Sequence, residues 1–183
     1  GANVVLLEKN LFVGGASNFA EGIFAVESEL NRLRSDTLTR EEAFKHAREM
    51  HMYEVNVPMM RDYIYGSADN VDWFMKHGVK FDVIRMTPWE EATWHVIDEY
   101  KGKNHGAALV ANLKDQCDKL GVTTLTGTPA ESLITDKSGA VVGVKAKSKT
   151  DDYTINAKAV ILASGSISDS NEKVAEWAHR DAK

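Results

Sequence analysis

Almost at the start of the chain stand four apolar residues, Val4-Val5-Leu6-Leu7, which stop at Glu8-Lys9. A strand with no polar alternation is buried on both faces, and such strands lie inside parallel sheets covered by helices. It needs neighbours on both sides, and the residues that follow supply only some of them. Gly1-Ala2-Asn3 offers no turn or element ahead of the strand, so the chain is expected to begin inside a longer protein. A strand edge left open in this way predicts non-native association.

After the strand, residues Asn10 to Gly22 read as a loop containing Gly14-Gly15-Ala16-Ser17-Asn18. Helical patterns take over from Asp36. Ser35, Asp36 and Thr39 are suitable N-caps, and Thr39 with Glu42 has capping-box spacing ahead of a face carrying Ala43, Phe44, Ala47 and Met50. A second helical stretch after Pro58 carries Met60, Ile64, Ala68 and Val71. A third runs from Asn70 to His77, with Val71, Phe74 and Met75, and stops at Gly78. Pro88, Trp89 and Trp94 break any period between Phe81 and His95, which therefore reads as irregular. Helix returns from Asn104, with Ala108, Leu109, Leu113 and Cys117 before the stop at Gly121.

From there the composition changes to short β-branched runs: Val122 to Leu125, Glu131 to Thr135, Val141 to Ala146, Tyr153 to Ile155 and Ala159 to Ala163. Turn residues such as Asp136-Lys137-Ser138-Gly139 separate them, predicting an antiparallel meander that ends in a buried strand. A last helix is expected over Asn171 to His179. A helical insertion thus spans about 36–121 and the meander about 122–163.

Composition narrows the function. The 22 Lys plus Arg are scattered among 27 Asp plus Glu, a net charge of -5, so no basic surface for nucleic acid is expected. No apolar run is long enough to span a bilayer, and no signal segment is present. The piece reads as soluble, whether the parent is cytoplasmic or exported. Cys117, the single cysteine, has no disulfide partner. His46 and His51 fall on different helix faces, and the six histidines show no zinc spacing, so no metal site is expected. Met50, Met52, Met59 and Met60, with Tyr53 and Tyr63 and the four tryptophans, read as core and interface packing.

Three places have the chemistry of a nucleotide site. An acid at the carboxyl end of a buried strand, as Glu8 is, accepts hydrogen bonds from ribose hydroxyls; otherwise it is a solvated strand end. Paired glycines at 14 and 15 let backbone amides approach a pyrophosphate or a flavin edge; otherwise they form a tight turn. Ala159-Val160-Ile161-Leu162-Ala163-Ser164-Gly165-Ser166 leaves an apolar strand through small residues, against which a planar group can pack.

Taken in order, Val4 to Lys9, Gly14-Gly15-Ala16-Ser17, Glu21-Gly22 and the meander leading to Ala163-Ser164-Gly165 resemble the FAD-dependent fumarate reductase and succinate dehydrogenase flavoproteins. Urocanate reductase and ketosteroid dehydrogenase share that pattern. The resemblance covers essentially the whole chain. It implies an α/β fold, a partial Rossmann-like FAD-binding domain over 1–183 with parallel strands, a helical insertion and a β-meander. The G-x-G-x-x-G unit would precede the chain and the cap or substrate domain would follow it. Glu8, beside Lys9, would hold the adenosine ribose, and Gly14, Gly15, Ala16 and Ser17 would lie along the pyrophosphate and ribityl chain. Gly22 and Ile23 would approach the isoalloxazine, and Ala130 would meet adenine. Ala163, Ser164 and Gly165 match the later strand end, although Ser164-Gly165-Ser166 stands where the family has Thr-Gly-Gly. The family also has a histidine near His95 that contacts a substrate carboxylate; a buried structural histidine is the other reading.

The activity implied is hydride transfer between FAD and a carbon–carbon double bond of a small carboxylate substrate. No catalytic residue falls within the chain by this pattern, so the piece alone is expected to be inactive. Competing readings are a ketosteroid-type FAD dehydrogenase and a non-catalytic nucleotide-binding or assembly module.

Overall fold

The computed structural model describes residues 1–84, 92–166 and 170–178. In chain order the strands are β1 (Val5–Leu7), β2 (Gly22–Phe24), β3 (Phe81–Ile84), β4 (Trp94–Ile97), β5 (Thr123–Leu125), β6 (Ala130–Thr135), β7 (Val141–Lys147) and β8 (Asp152–Asn156). The helices are α1 (Glu29–Leu33), α2 (Arg40–Met50), α3 (Val57–Tyr65), α4 (Ser67–Lys76), α5 (His105–Lys119) and α6 (Asn171–Ala178), and a 3-10 turn covers Gly15–Phe19. These elements form two units, Gly1–Val4 with Ser17–Thr123 and Val5–Ala16 with Thr124–Lys183.

In the first unit, helices pack on an antiparallel sheet of order β2-β4-β3. The cap signal at α2 is realised: Thr39 Oγ1 accepts the Glu42 N–H at 3.2 Å while Glu42 Oε2 accepts the Thr39 N–H at 2.9 Å. Ala43 and Phe44 then face inward and join Val26 and Ile64 in one apolar cluster. Met50 does not follow them. It is 78% exposed, and Met52, Met59, Tyr53 and Tyr63 are exposed as well, so among the described residues of the proposed packing group only Met60 lies against that cluster. The reason is position: α2 ends at Met50, and the turn that follows runs through left-handed Met52 and Tyr53 at the surface.

The helical pattern after Pro58 breaks at Gly66, giving α3 and α4 in place of stretches divided near Asn70. Ser67 explains the break, since its hydroxyl donates to the Ile64 carbonyl at 2.7 Å and accepts the Val26 N–H at 3.2 Å. The first is a local bond that competes with helix continuation, and the second anchors the break to a residue 41 positions away. The stop after α4 is as expected: Gly78 has φ +87°, with Gly78 N–H bonded to Met75 O and Val79 N–H to Phe74 O.

Phe81 to His95 is not irregular throughout. β3 and β4 pair antiparallel, with Val83 opposite His95, and β4 also pairs with β2, with Ile23 opposite His95. Pro88 and Trp89, which suggested the irregularity, lie outside the described residues. Helix α1 was also illegible; it is only five residues long and starts at a capping box made by Ser28 and Asn31. The main core gathers Ala25, Val71, Val79, Phe81, Ile97, Ala108 and Leu109. Burying each larger side chain contributes roughly 1.5–3 kcal/mol, which offsets the ordering of the connections around it.

In the second unit β5 leaves the meander to which Val122–Leu125 had been assigned and pairs with β1. The pairing is parallel, because partners rise together along both segments: Thr123 N–H bonds Val4 O at 3.0 Å and Glu8 N–H bonds Leu125 O at 2.9 Å. The antiparallel meander is β6-β7-β8 alone. β1 is not buried on both faces; Val4 and Val5 are 47% and 44% exposed, since among the described residues only β5 pairs with it. Ala159 to Ala163 forms no strand, and Ile161 and Leu162 are 90% and 71% exposed. A strand exists only through its ladder, and no described strand pairs with this segment.

Candidate cofactor site

Glu8 follows directly on β1, and its backbone is held on both sides: its N–H donates to Leu125 O and its carbonyl accepts the Thr128 N–H at 2.9 Å. Its carboxylate Oε1 accepts the Asn10 N–H at 2.7 Å, which aims the side chain along the start of the glycine loop. Gly127 N–H to Asn10 O, 2.7 Å, ties that start to the segment after β5. Further along, Gly14 and Gly15 have φ +110° and +47°. Those angles account for the glycine pair on conformational grounds. A Cβ on Gly15 would meet nothing within 4 Å, so a ligand can reach the backbone there. Lys9 and Ala16 are exposed beside this loop. In the same unit Ala130 opens β6, exposed and opposite Ala146, while Ala163, Ser164 and Gly165 are exposed and Gly165 has φ +89°.

In the first unit the exposed Ser17 lies in the 3-10 turn, whose end is shaped by Ala20 N–H bonding Ser17 O at 3.3 Å. Ala20 O accepts the N–H of Gly106, in the first turn of α5, at 2.6 Å. A Cβ on Gly106 would stand 1.9 Å from Ser17 O and 2.9 Å from both Ala20 N and Ala20 O. Only glycine allows α5 to sit so close to the turn. Sequence reasoning missed Gly106, and an Asn-His-Gly helix start carries no signal of a contact with residues so distant in the chain. Gly22, buried on β2, is required for a similar reason, since its Cβ would meet His95 O at 2.5 Å and Trp94 Nε1 at 3.1 Å. Ile23 beside it is half-buried.

His95 is fully buried, at 0% exposure. Its Nδ1 lies 3.2 Å from the Thr93 carbonyl oxygen. Nε2 is 2.8 Å from Ser28 Oγ, a hydroxyl that also lies 2.8 Å from Asn31 Oδ1. Burial pushes the His95 pKa below the ordinary histidine range, opposed in part by the bond to Thr93. Both ring nitrogens have partners within the fold, and through Ser28 the side chain ties the start of α1 to β4.

A strand-end acid, a glycine pair at positive φ and small-residue loops have the chemistry that suits the phosphates and flat rings of a dinucleotide. The sequence profile of the family described as FAD binding domain matches residues 1–182. The chain belongs to the FAD binding domain family. FAD is accordingly its cofactor, and the resemblance seen in the sequence holds. This FAD binding domain chain is 35% identical over 185 residues to the vinyl phenol reductase of Lactiplantibacillus plantarum, covering 100% of the chain and 37% of that protein. It is 30% identical over 172 residues to the urocanate reductase of Eggerthella lenta, covering 90% of the chain and 28% of that protein. Among solved structures it superposes on the open conformation of a flavocytochrome c3 fumarate reductase with TM-score 0.82 and 26% identity, over 96% of the chain and 31% of that one. The FAD binding domain chain thus spans about a third of the length of the relatives it matches. Among the described residues no helix is long and apolar enough to cross a membrane.

Proposed function

We propose that the chain is the cofactor-holding part of a flavin-dependent reductase that transfers hydride between FAD and the carbon–carbon double bond of a small carboxylate substrate. The observation that carries this reading is the superposition on a fumarate reductase, TM-score 0.82 over 96% of the chain, beside 30% identity to a urocanate reductase, two relatives whose names denote reduction of an unsaturated carboxylate. FAD supplies the hydride chemistry when bound, and the protein supplies binding and orientation. Glu8, with Lys9 beside it, holds the adenosine ribose; Gly14, Gly15 and Ala16 give backbone amides to the pyrophosphate; Ala130 meets adenine; and Ala163, Ser164 and Gly165 pack against the nucleotide. Ser17 meets the ribityl chain, and Gly22 and Ile23 meet the isoalloxazine edge.

The test uses the full-length protein, reduced without oxygen and offered fumarate, urocanate, vinyl phenol and a ketosteroid in turn. Reoxidation of the flavin by an unsaturated acid supports the reading, and reoxidation by the steroid alone replaces it with the ketosteroid alternative. Glu8→Ala is expected to weaken FAD binding tenfold or more, the loss of a charge-assisted bond of about 1.5–3 kcal/mol. Undiminished FAD affinity would remove Glu8 from the site.

A further inference from the structure

Helix α5, residues 78–80 after α4 and residues 97–101 at and beyond the end of β4 enclose a cavity of about 220 Å³. Val79, Ile97 and Ala108, all buried, give it apolar walls, and Asn112 lies among them at 2% exposure. The Asn112 amide is unmatched. Its Oδ1 is buried without a hydrogen-bond partner, and among the described residues none bonds to its Nδ2. Buried polar groups are nearly always paired, as the next turn of the same helix shows: Gln116 Nε2 donates to the His77 carbonyl at 3.1 Å. Neither helix formation nor apolar packing calls for an asparagine at this position.

The rim of the cavity is charged, but its charges are committed or in water. Lys101 pairs with Asp115, which also accepts the Tyr100 hydroxyl at 2.8 Å, and Glu99 Oε1 accepts the Gly102 N–H at 3.2 Å. Lys80 and Asp98 are exposed. An ion at the depth of Asn112 would exchange its water for one neutral amide, which is unfavourable. A neutral partner suits the site better. The amide offers an acceptor and a donor side by side, the arrangement through which asparagine pairs with the donor and acceptor on one edge of adenine. A cis-amide, with N–H and C=O on the same edge, is its complement. The volume is several times the roughly 30 Å³ of a liquid water and below the roughly 300 Å³ at which drug-sized sites begin, so a single small ring fills it.

We infer that this cavity binds a small uncharged molecule carrying a cis-amide edge, a lactam in the simplest case, held by two hydrogen bonds to Asn112. None of the residues lining it belongs to the set assigned to FAD, so it is a site for a second ligand and stands apart from the reductase reading.

The experiment titrates FAD-loaded full-length protein with 2-piperidone, followed by saturation-transfer NMR, with flavin content measured by absorbance. N-Methyl-2-piperidone, which keeps the ring and carbonyl but has no N–H for Oδ1, is titrated in parallel. Wild-type protein is expected to bind 2-piperidone about tenfold more tightly than the N-methyl compound, a difference of about 1.4 kcal/mol. Asn112→Leu keeps nearly the same volume and removes both bonding atoms, a change that is close to neutral for folding when a polar group is unpaired. Asn112→Ala, smaller and a stronger helix former, repeats the test should leucine disturb the walls, and circular dichroism checks both folds. Each variant is expected to lose the preference between the two compounds, with flavin content unchanged. No binding of 2-piperidone by wild type, equal affinity for the two compounds, or a preference that survives in both variants overturns the site and leaves water as the partner of the amide. Flavin content reports on the FAD assignment separately, so the two readings fail independently.

Discussion

Gly106→Ala tests how closely α5 is pressed against the turn that carries Ser17. The added Cβ would start 1.9 Å from Ser17 O. Even the close carbon–oxygen contacts of β-sheets are about 3.3 Å, so the turn and the helix must separate by more than an ångström. All three atoms met are backbone, and none can rotate away. The shift also breaks the 2.6 Å bond from Gly106 N–H to Ala20 O. Overpacking costs about 1–3 kcal/mol, and the higher helix propensity of alanine offsets roughly 0.5–1 kcal/mol of it. A net loss of about 1 kcal/mol lowers Tm by roughly 2–4 °C for a chain of this size. Thermal unfolding followed by circular dichroism measures the shift, and flavin fluorescence titration of the full-length protein measures the accompanying drop in FAD affinity. A variant that melts within about 1 °C of wild type, where at least twice that is required, refutes the close packing of α5 on the turn.

Three further outcomes follow from the first unit. Ser28→Ala removes a helix cap and leaves His95 Nε2 and the Asn31 N–H without their hydroxyl partner in a buried site, so it should cost about 1–3 kcal/mol in urea unfolding. Thr39→Ala removes the same kind of cap at the surface, where water replaces the bond, and should cost only about 1 kcal/mol. Burial lowers the His95 pKa in the fold, whereas the unfolded chain takes up its proton near about pH 6.5. Below that pH the unfolded state binds more protons, so the stability owed to a neutral His95 is intact above it and drains away as the pH falls toward the folded value. Melting curves from about pH 7.5 down to about 5.5 should therefore fall more steeply for wild type than for His95→Gln; parallel curves would exclude His95 as the group responsible.

What was legible in the sequence shares one physical property: the deciding interaction lies within a few residues. The Thr39–Glu42 box, the left-handed stops at Gly78 and Gly121, and the turn at Asp136, whose Oδ1 accepts the Ser138 N–H at 2.8 Å, are set by neighbours along the chain. The order strand, acid, glycine pair and meander was likewise readable, and with it the family and its cofactor.

Tertiary structure alone decided the rest. His95 became a core residue because Ser28, 67 positions away, meets its Nε2. Val122 to Leu125 left the meander because β1 supplied a parallel partner, and Ala159 to Ala163, although more apolar, formed no strand, with no described strand beside it. Gly106 and Gly22 matter through the backbone of other segments, Ser17 and Ala20 for one and His95 for the other. Local patterns specify caps, turns and apolar faces because those energies arise within a helical turn or a hairpin. Which strands pair, which side chains are buried and which glycines cannot be replaced depend on distances between segments that no spacing in the sequence records.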